Sequence, residues 1–336
     1  MLARDAESLF WTGRYLERAE DTARLLDVTY HGMLETTRVE EAMAWRDVLS
    51  AVRLERAFAD TKRTLGATSV SEFLVLDPQN SGSILSAVEQ ARENARTVRE
   101  QLSTELWESL NSFCLELRAR NLRADLEFQP HELYGMVRRQ CQTVAGVAAE
   151  TMARDEGWRF FVLGWNLERA EMACRLLSVR YRQLSPSAFH QWMGTLRSAS
   201  ALEAYRRTYR ASMDPVDVVE FLLLSRTFPR SVLFSLRTAE NALARLAPDG
   251  ELTRPLRQLG RVRSGLEYAD VRELMQGDLG DELHLVEEGI RQVAASVATQ
   301  YFSNSHEFDL HSLQLMPGQG PFGPRDPAHP EGVEDE

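Results

Sequence analysis

A chain of 336 residues, 43% hydrophobic and 26% charged, can bury one large core or two ordinary ones, which excludes a wholly disordered protein. Its formal net charge of -11 argues against a general nucleic-acid surface, because phosphate binding depends on clustered cations that release counterions. Lys62 is the single lysine among 39 basic residues, so Schiff-base or P-loop chemistry has only that residue to draw on, and no glycine-rich loop precedes it.

At the start of the chain, Met1 to Asp5 carry neither the basic nor the apolar stretch of a secretory leader. The most apolar run, Val218 to Leu224, is interrupted by Glu220 and too short to cross a bilayer. A soluble, cytoplasmic protein without a membrane or nucleic-acid partner is expected. The first helical segment, Phe10 to Tyr30, recurs as Phe161 to Tyr181 at an offset of 151, with twelve identities in twenty-one positions. Weaker echoes keep the same order: Trp45 and Leu49 with Trp192 and Leu196, Glu72-Phe73-Leu74 with Glu220-Phe221-Leu222, and Ser83-Ile84-Leu85 with Ser231-Val232-Leu233. A last one pairs Glu132-Leu133 with Glu282-Leu283.

Further along, Ser69-x-x-Glu72 reads as a capping box, and Asp214-Pro215 places an N-cap before a proline at the first helical position. Leu85, Val88, Ala91, Ala95 and Val98 recur at helical steps, as do Leu283, Val286, Ile290, Val293 and Val297. Turns are expected at Asp77-Pro78-Gln79-Asn80, Phe228-Pro229 and Ala247-Pro248-Asp249-Gly250. Cys114, Cys141 and Cys174 lie apart and read as core residues, as does Trp107. His31 and His131 read as lone residues at helix ends. From Pro317 the chain carries five prolines and four glycines and ends acidic, which predicts no packed structure. The fold class is therefore all-α: two tandem homologous helical-bundle halves over 1–150 and 151–303, each of five or six helices and related by a pseudo-twofold. A linker and disordered tail follow over 304–336.

The best-repeated segment has a defined geometry. At about 100° per residue, Gly13, Glu17, Glu20 and Arg24 fall within a stripe about 60° wide, and Gly164, Glu168, Glu171 and Arg175 repeat it. Flanking positions differ, with Arg14 aligned to Trp165 and Asp21 to Met172, so the stripe is kept while its flanks drift. Arg18 and Arg169 point to a more apolar face and require an acidic or carbonyl partner there. Three readings follow. The stripes can form ion pairs, including Glu20 to Arg24, that lock the two helices together. They can face a cleft that binds a charged ligand or a partner's helix. They can bridge a metal, although no histidine has the Glu-x-x-His spacing of helical di-metal sites, so no cofactor is expected. GxSxG, HExxH and Walker A patterns are absent.

At Tyr15-Leu16-Glu17-Arg18-Ala19-Glu20 and Asn166-Leu167-Glu168-Arg169-Ala170-Glu171 the chain resembles the bacterial alpha-E family, helical proteins named for their Glu-Arg motif. The resemblance runs from Met1 to about Phe302 and takes in Met152 to Phe160 and Trp107-Glu108-x-Leu110-Asn111. It implies partnership with a circularly permuted ATP-grasp protein and a nearby transglutaminase-like cysteine peptidase, in a system that makes and processes peptide or amide bonds. In that setting the chain is expected to be a non-catalytic accessory, scaffold or substrate-presenting subunit. The alternative is an enzyme or ligand-binding protein using Glu17, Glu20, Glu168 and Glu171 in a cleft between the halves, where close, accessible carboxylates would act as general acids and bases.

Overall fold

The computed structural model describes residues 1–32, 38–181, 189–210, 213–247 and 250–302. The tail expected over 304–336 lies outside the described residues, as do Pro248 and Asp249 of one expected turn. Among the described residues the fold is all-helical, with no strand. The helices of the first 151 residues are α1 (Ala3–Gly32), α2 (Arg38–Ala51), α3 (Glu55–Asp60), α4 (Ala67–Val75), α5 (Ile84–Thr97), α6 (Thr104–Ala119), α7 (Leu122–Phe128) and α8 (Pro130–Thr151). Those that follow are α9 (Glu156–Tyr181), α10 (Phe189–Ser198), α11 (Leu202–Tyr209), α12 (Pro215–Leu224), α13 (Val232–Ala244), α14 (Arg254–Glu267), α15 (Val271–Gln276) and α16 (Leu279–Val297).

Among the described residues eight α-helices lie before residue 152 and eight after it, where five or six per half were expected. The surplus consists of short pieces such as α3, α7 and α15, six or seven residues long, in which a 3.6-residue period barely completes two turns. The capping box at Ser69 is also corrected. Gly66 occupies the N-cap of α4, Ser69 lies inside the helix with its Oγ donating to the carbonyls of Thr64 and Gly66, and Glu72 pairs with Arg123. The Asp214 cap is present, its carboxylate accepting from the Val216 amide at 2.9 Å. Ser83 and Ser231 likewise cap α5 and α13 by accepting from the Ser86 and Phe234 amides.

The centre of the molecule is the pair α1 and α9. At thirty residues α1 is about 45 Å long. Helices α5 and α8 pack on α1, and α13 and α16 pack on α9. The two central helices approach at glycines. A Cβ at Gly13 would stand 2.3 Å from the Phe161 carbonyl oxygen, and one at Gly164 would stand 2.0 Å from that of Phe10. No other residue type permits this backbone contact. Trp45 and Trp192 are fully buried in the core, and all three cysteines are buried as expected. Of the two periodic rows only Leu85 departs, being half-buried while Ile84 beside it faces the core. A π-helical turn, Ala298–Phe302, closes the described chain by setting the Phe302 ring 5.5 Å from that of Phe10.

Candidate functional site

From Asp5 to Asp27, α1 buries nearly every residue, so its charged side chains have no solvent to turn to. An unpaired charge in such a place is very costly, and each of these must find a counter-charge. Crossing at Gly13 and Gly164 brings the two Glu-Arg motifs within reach of each other. Arg169 donates Nε and Nη2 to the two oxygens of Glu17 at 2.7 and 2.8 Å. Arg18 in turn donates to Glu168 at 2.6 and 3.1 Å. These two-point contacts fix orientation as well as charge. Each arginine also lies over an aromatic face of its own helix, Arg18 on Tyr15 and Arg169 on Trp165, both 5.5 Å from the centroid. The partner that the apolar face required of Arg18 and Arg169 is thus the glutamate of the opposite motif.

The stripe residues complete two clusters. In the first, Glu20 pairs with Arg24 one turn away and accepts 3.0 Å from the Gln142 amide of α8. Arg230, just before α13, donates to Glu17, Glu20 and Asp21 at 2.7 to 2.8 Å. In the second, Arg14 donates to Glu168 at 2.6 Å and Glu171 at 2.8 Å. Arg175 bridges Glu171 and Glu287 of α16, and Glu287 also takes Arg53 from the loop after α2. Six carboxylates and seven guanidinium groups therefore nearly cancel.

The electrostatics follow from this packing. Burial works against the charge on Glu168, but Arg18 and Arg14 outweigh it and hold the carboxyl well below the usual range. Glu20 behaves alike: burial opposes its charge, Arg230 and Arg24 prevail, and it falls to about 2. Asp21 goes the other way, pushed up to about 7 by burial first and the neighbouring Glu17 charge next, with Arg230 only partly offsetting them. Burial also opposes the charges of Arg14 and Arg230, yet the surrounding carboxylates leave both more firmly protonated than a free arginine.

Every predicted motif residue is in this network: Glu17, Arg18, Glu20, Arg24, Glu168, Arg169, Glu171 and Arg175. Glu17, Glu20, Glu168 and Glu171 retain at most 5% exposure, and each is matched to arginine. A cavity of about 500 Å³ beside α2 and α3, lined by residues including Arg46, Asp47, Phe58 and Arg63, contains none of them. Five participants escaped the sequence reading. Arg14 and Asp21 lie in the drifted flanks of the stripe, where they differ from their counterparts Trp165 and Met172, and both are buried and paired. Arg230, Arg53 and Glu287 occupy positions with no repeated counterpart to mark them. The adjoining Ser231 echo was the one available signal for Arg230.

The Alpha-E family model, described as a predicted alpha-helical domain with a conserved ER motif, matches residues 1–302. Two uncharacterised mycobacterial proteins are similar over 318 aligned residues: one from Mycobacterium bovis at 28% identity and one from Mycobacterium tuberculosis at 27%. Each alignment covers 85% of this chain and 35% of the relative, so the chain spans about a third of the length of those proteins. No solved structure matches. Among the described residues no helix is long and apolar enough to cross a membrane.

Proposed function

The chain belongs to the Alpha-E family, and from that premise we propose that it is a non-catalytic accessory subunit, scaffolding or presenting substrate in an ATP-grasp-dependent system that forms peptide or amide bonds. Its partners in this reading are a circularly permuted ATP-grasp protein and a transglutaminase-like cysteine peptidase, in the cytoplasm. One observation carries the non-catalytic part: the four stripe carboxylates are buried and spent on the chain's own arginines. A general acid or base must reach its substrate within hydrogen-bond distance, and these groups have no open face. The long mycobacterial relatives favour a modular role, since 65% of each lies outside the match.

The same proposal includes a duplicated architecture, with units over 1–150 and 151–303, a tail over 304–336 and a pseudo-twofold between the units. The reciprocal glycine approach and the exchanged Arg18–Glu168 and Arg169–Glu17 pairs support it. So do the equivalent packing of α5 and α8 on α1 and of α13 and α16 on α9. Cross-linked co-purification of the tagged chain from its native cell tests the functional reading. Recovery of an ATP-grasp protein is expected. Preparations that reproducibly contain the chain and no such ligase would sink the accessory role.

A further inference from the structure

His31 and His131 lie 100 positions apart in sequence, yet the fold stacks them edge to face with ring centroids 4.5 Å apart. His31 sits in the last turn of α1, and His131 in the first turn of α8 beside Pro130. Asp27 precedes His31 by one helical turn, so both project from one face of α1. Its Oδ1 lies 2.6 Å from His131 Nδ1 and 3.3 Å from His31 Nδ1. One donor atom from each of the three residues lies within 4.8 Å of the other two. Donors held at about 2.0–2.2 Å from a common ion stand no more than about 4.4 Å apart, so small side-chain rotations close the set.

The surroundings are those of a supported ligand set. Arg138 Nη2 lies 3.1 Å from Asp27 Oδ2, which orients the carboxylate so that Oδ1 faces the imidazoles. His31 Nδ1 also lies 2.8 Å from the Asp27 carbonyl oxygen, which holds the ring beside the carboxylate. Asp27 is buried at 7% side-chain exposure, while His31 and His131 are 45% and 58% exposed. A buried anion beneath two solvent-facing imidazoles supplies three ligands and leaves the outer positions to water. Two nitrogen donors and one carboxylate suit zinc and its neighbours in the first transition row, and suit calcium or magnesium poorly.

We propose that Asp27, His31 and His131 form a binding site for a divalent transition-metal ion, separate from the Glu-Arg network. The helix spacing supplies two ligands, and the packing of α8 against α1 delivers the third.

Titration of the untagged full chain with cobalt, then displacement by zinc, tests this. One saturable cobalt equivalent should give ligand-field absorption without thiolate charge-transfer bands, and zinc should raise the unfolding temperature. Loss of outer-shell partners alone weakens metal sites roughly 10–100-fold, so His31→Gln and His131→Gln should each weaken binding at least about tenfold and diminish the zinc-dependent rise at a given zinc concentration. Both side chains are exposed, so the metal-free variants remain folded, which circular dichroism verifies. Absence of saturable binding overturns the proposal. So does wild-type affinity in either variant, which would point to other histidines, or thiolate bands, which would point to the cysteines.

Discussion

Arg169 donates both Nε and Nη2 to Glu17, which is fully buried, so the arginine of the second motif serves the glutamate of the first across 152 positions of sequence. Breaking a buried pair costs roughly 3–5 kcal/mol: removing Glu17 strands Arg169, whereas removing Arg169 leaves Glu17 with Arg230 and should cost less. Glu17→Ala and Arg169→Ala should each lower the urea midpoint accordingly. The double variant should cost clearly less than the sum, because the two groups are coupled. Additive losses would contradict the pairing.

The glycine contacts lead to a second expectation. At Gly13 and Gly164 the obstructing atoms are backbone, which cannot rotate aside. Alanine at either site should separate α1 from α9 and destabilise by about 1–3 kcal/mol or more. Gly146 of α8 meets nothing within 4 Å, so Gly146→Ala should instead stabilise by about 0.5–1 kcal/mol through helix propensity. Thermal unfolding of the three variants distinguishes contact from propensity, and similar shifts in all three would refute the close approach.

Asp21 gives the protein a specific pH response. Its carboxyl is raised from 3.8 to about 7, so its contribution to stability is fully present below about pH 4 and lost as pH rises through about 7. Glu20 has the opposite sign: lowered from 4.5 to about 2, it contributes above about pH 4.5 and loses that contribution as pH falls through about 2. Asp21→Asn should therefore narrow the stability difference between about pH 5 and pH 8, measured from urea midpoints. An unchanged difference would mean that the proton resides elsewhere in the cluster.

All three thiols are buried, and burial raises Cys141 and Cys174 well above the ordinary thiol range. Because the thiolate is the reactive species, the native protein should react with a thiol reagent far more slowly than the urea-unfolded chain. Fast reaction of any one cysteine under native conditions would show that its helix opens locally.

The Glu-Arg stripe was legible because it occurs twice: at one residue per 100°, repetition separates kept positions from free ones. The need of Arg18 and Arg169 for acidic partners was equally legible, from the cost of burying a charge. Arg14, Asp21 and Arg230 were hidden because each acts once, and Arg230 lies more than 200 positions from the carboxylates it binds. The short helices were hidden for a different reason, since six or seven residues carry too little periodicity to stand out from turns. His31 and His131 read as isolated because helix packing, and no local pattern, joins them.

The exchange of partners between α1 and α9 also sets a timetable for synthesis. Glu17 leaves the ribosome about 150 residues ahead of Arg169, a delay of about eight to thirty seconds at roughly 5–20 residues per second. During that interval α1 carries acidic and basic groups whose permanent partners do not yet exist. Until α9 arrives, the face of α1 that carries Arg14, Glu17 and Arg18 has water as its partner, while the faces that meet α5 and α8 can already pack.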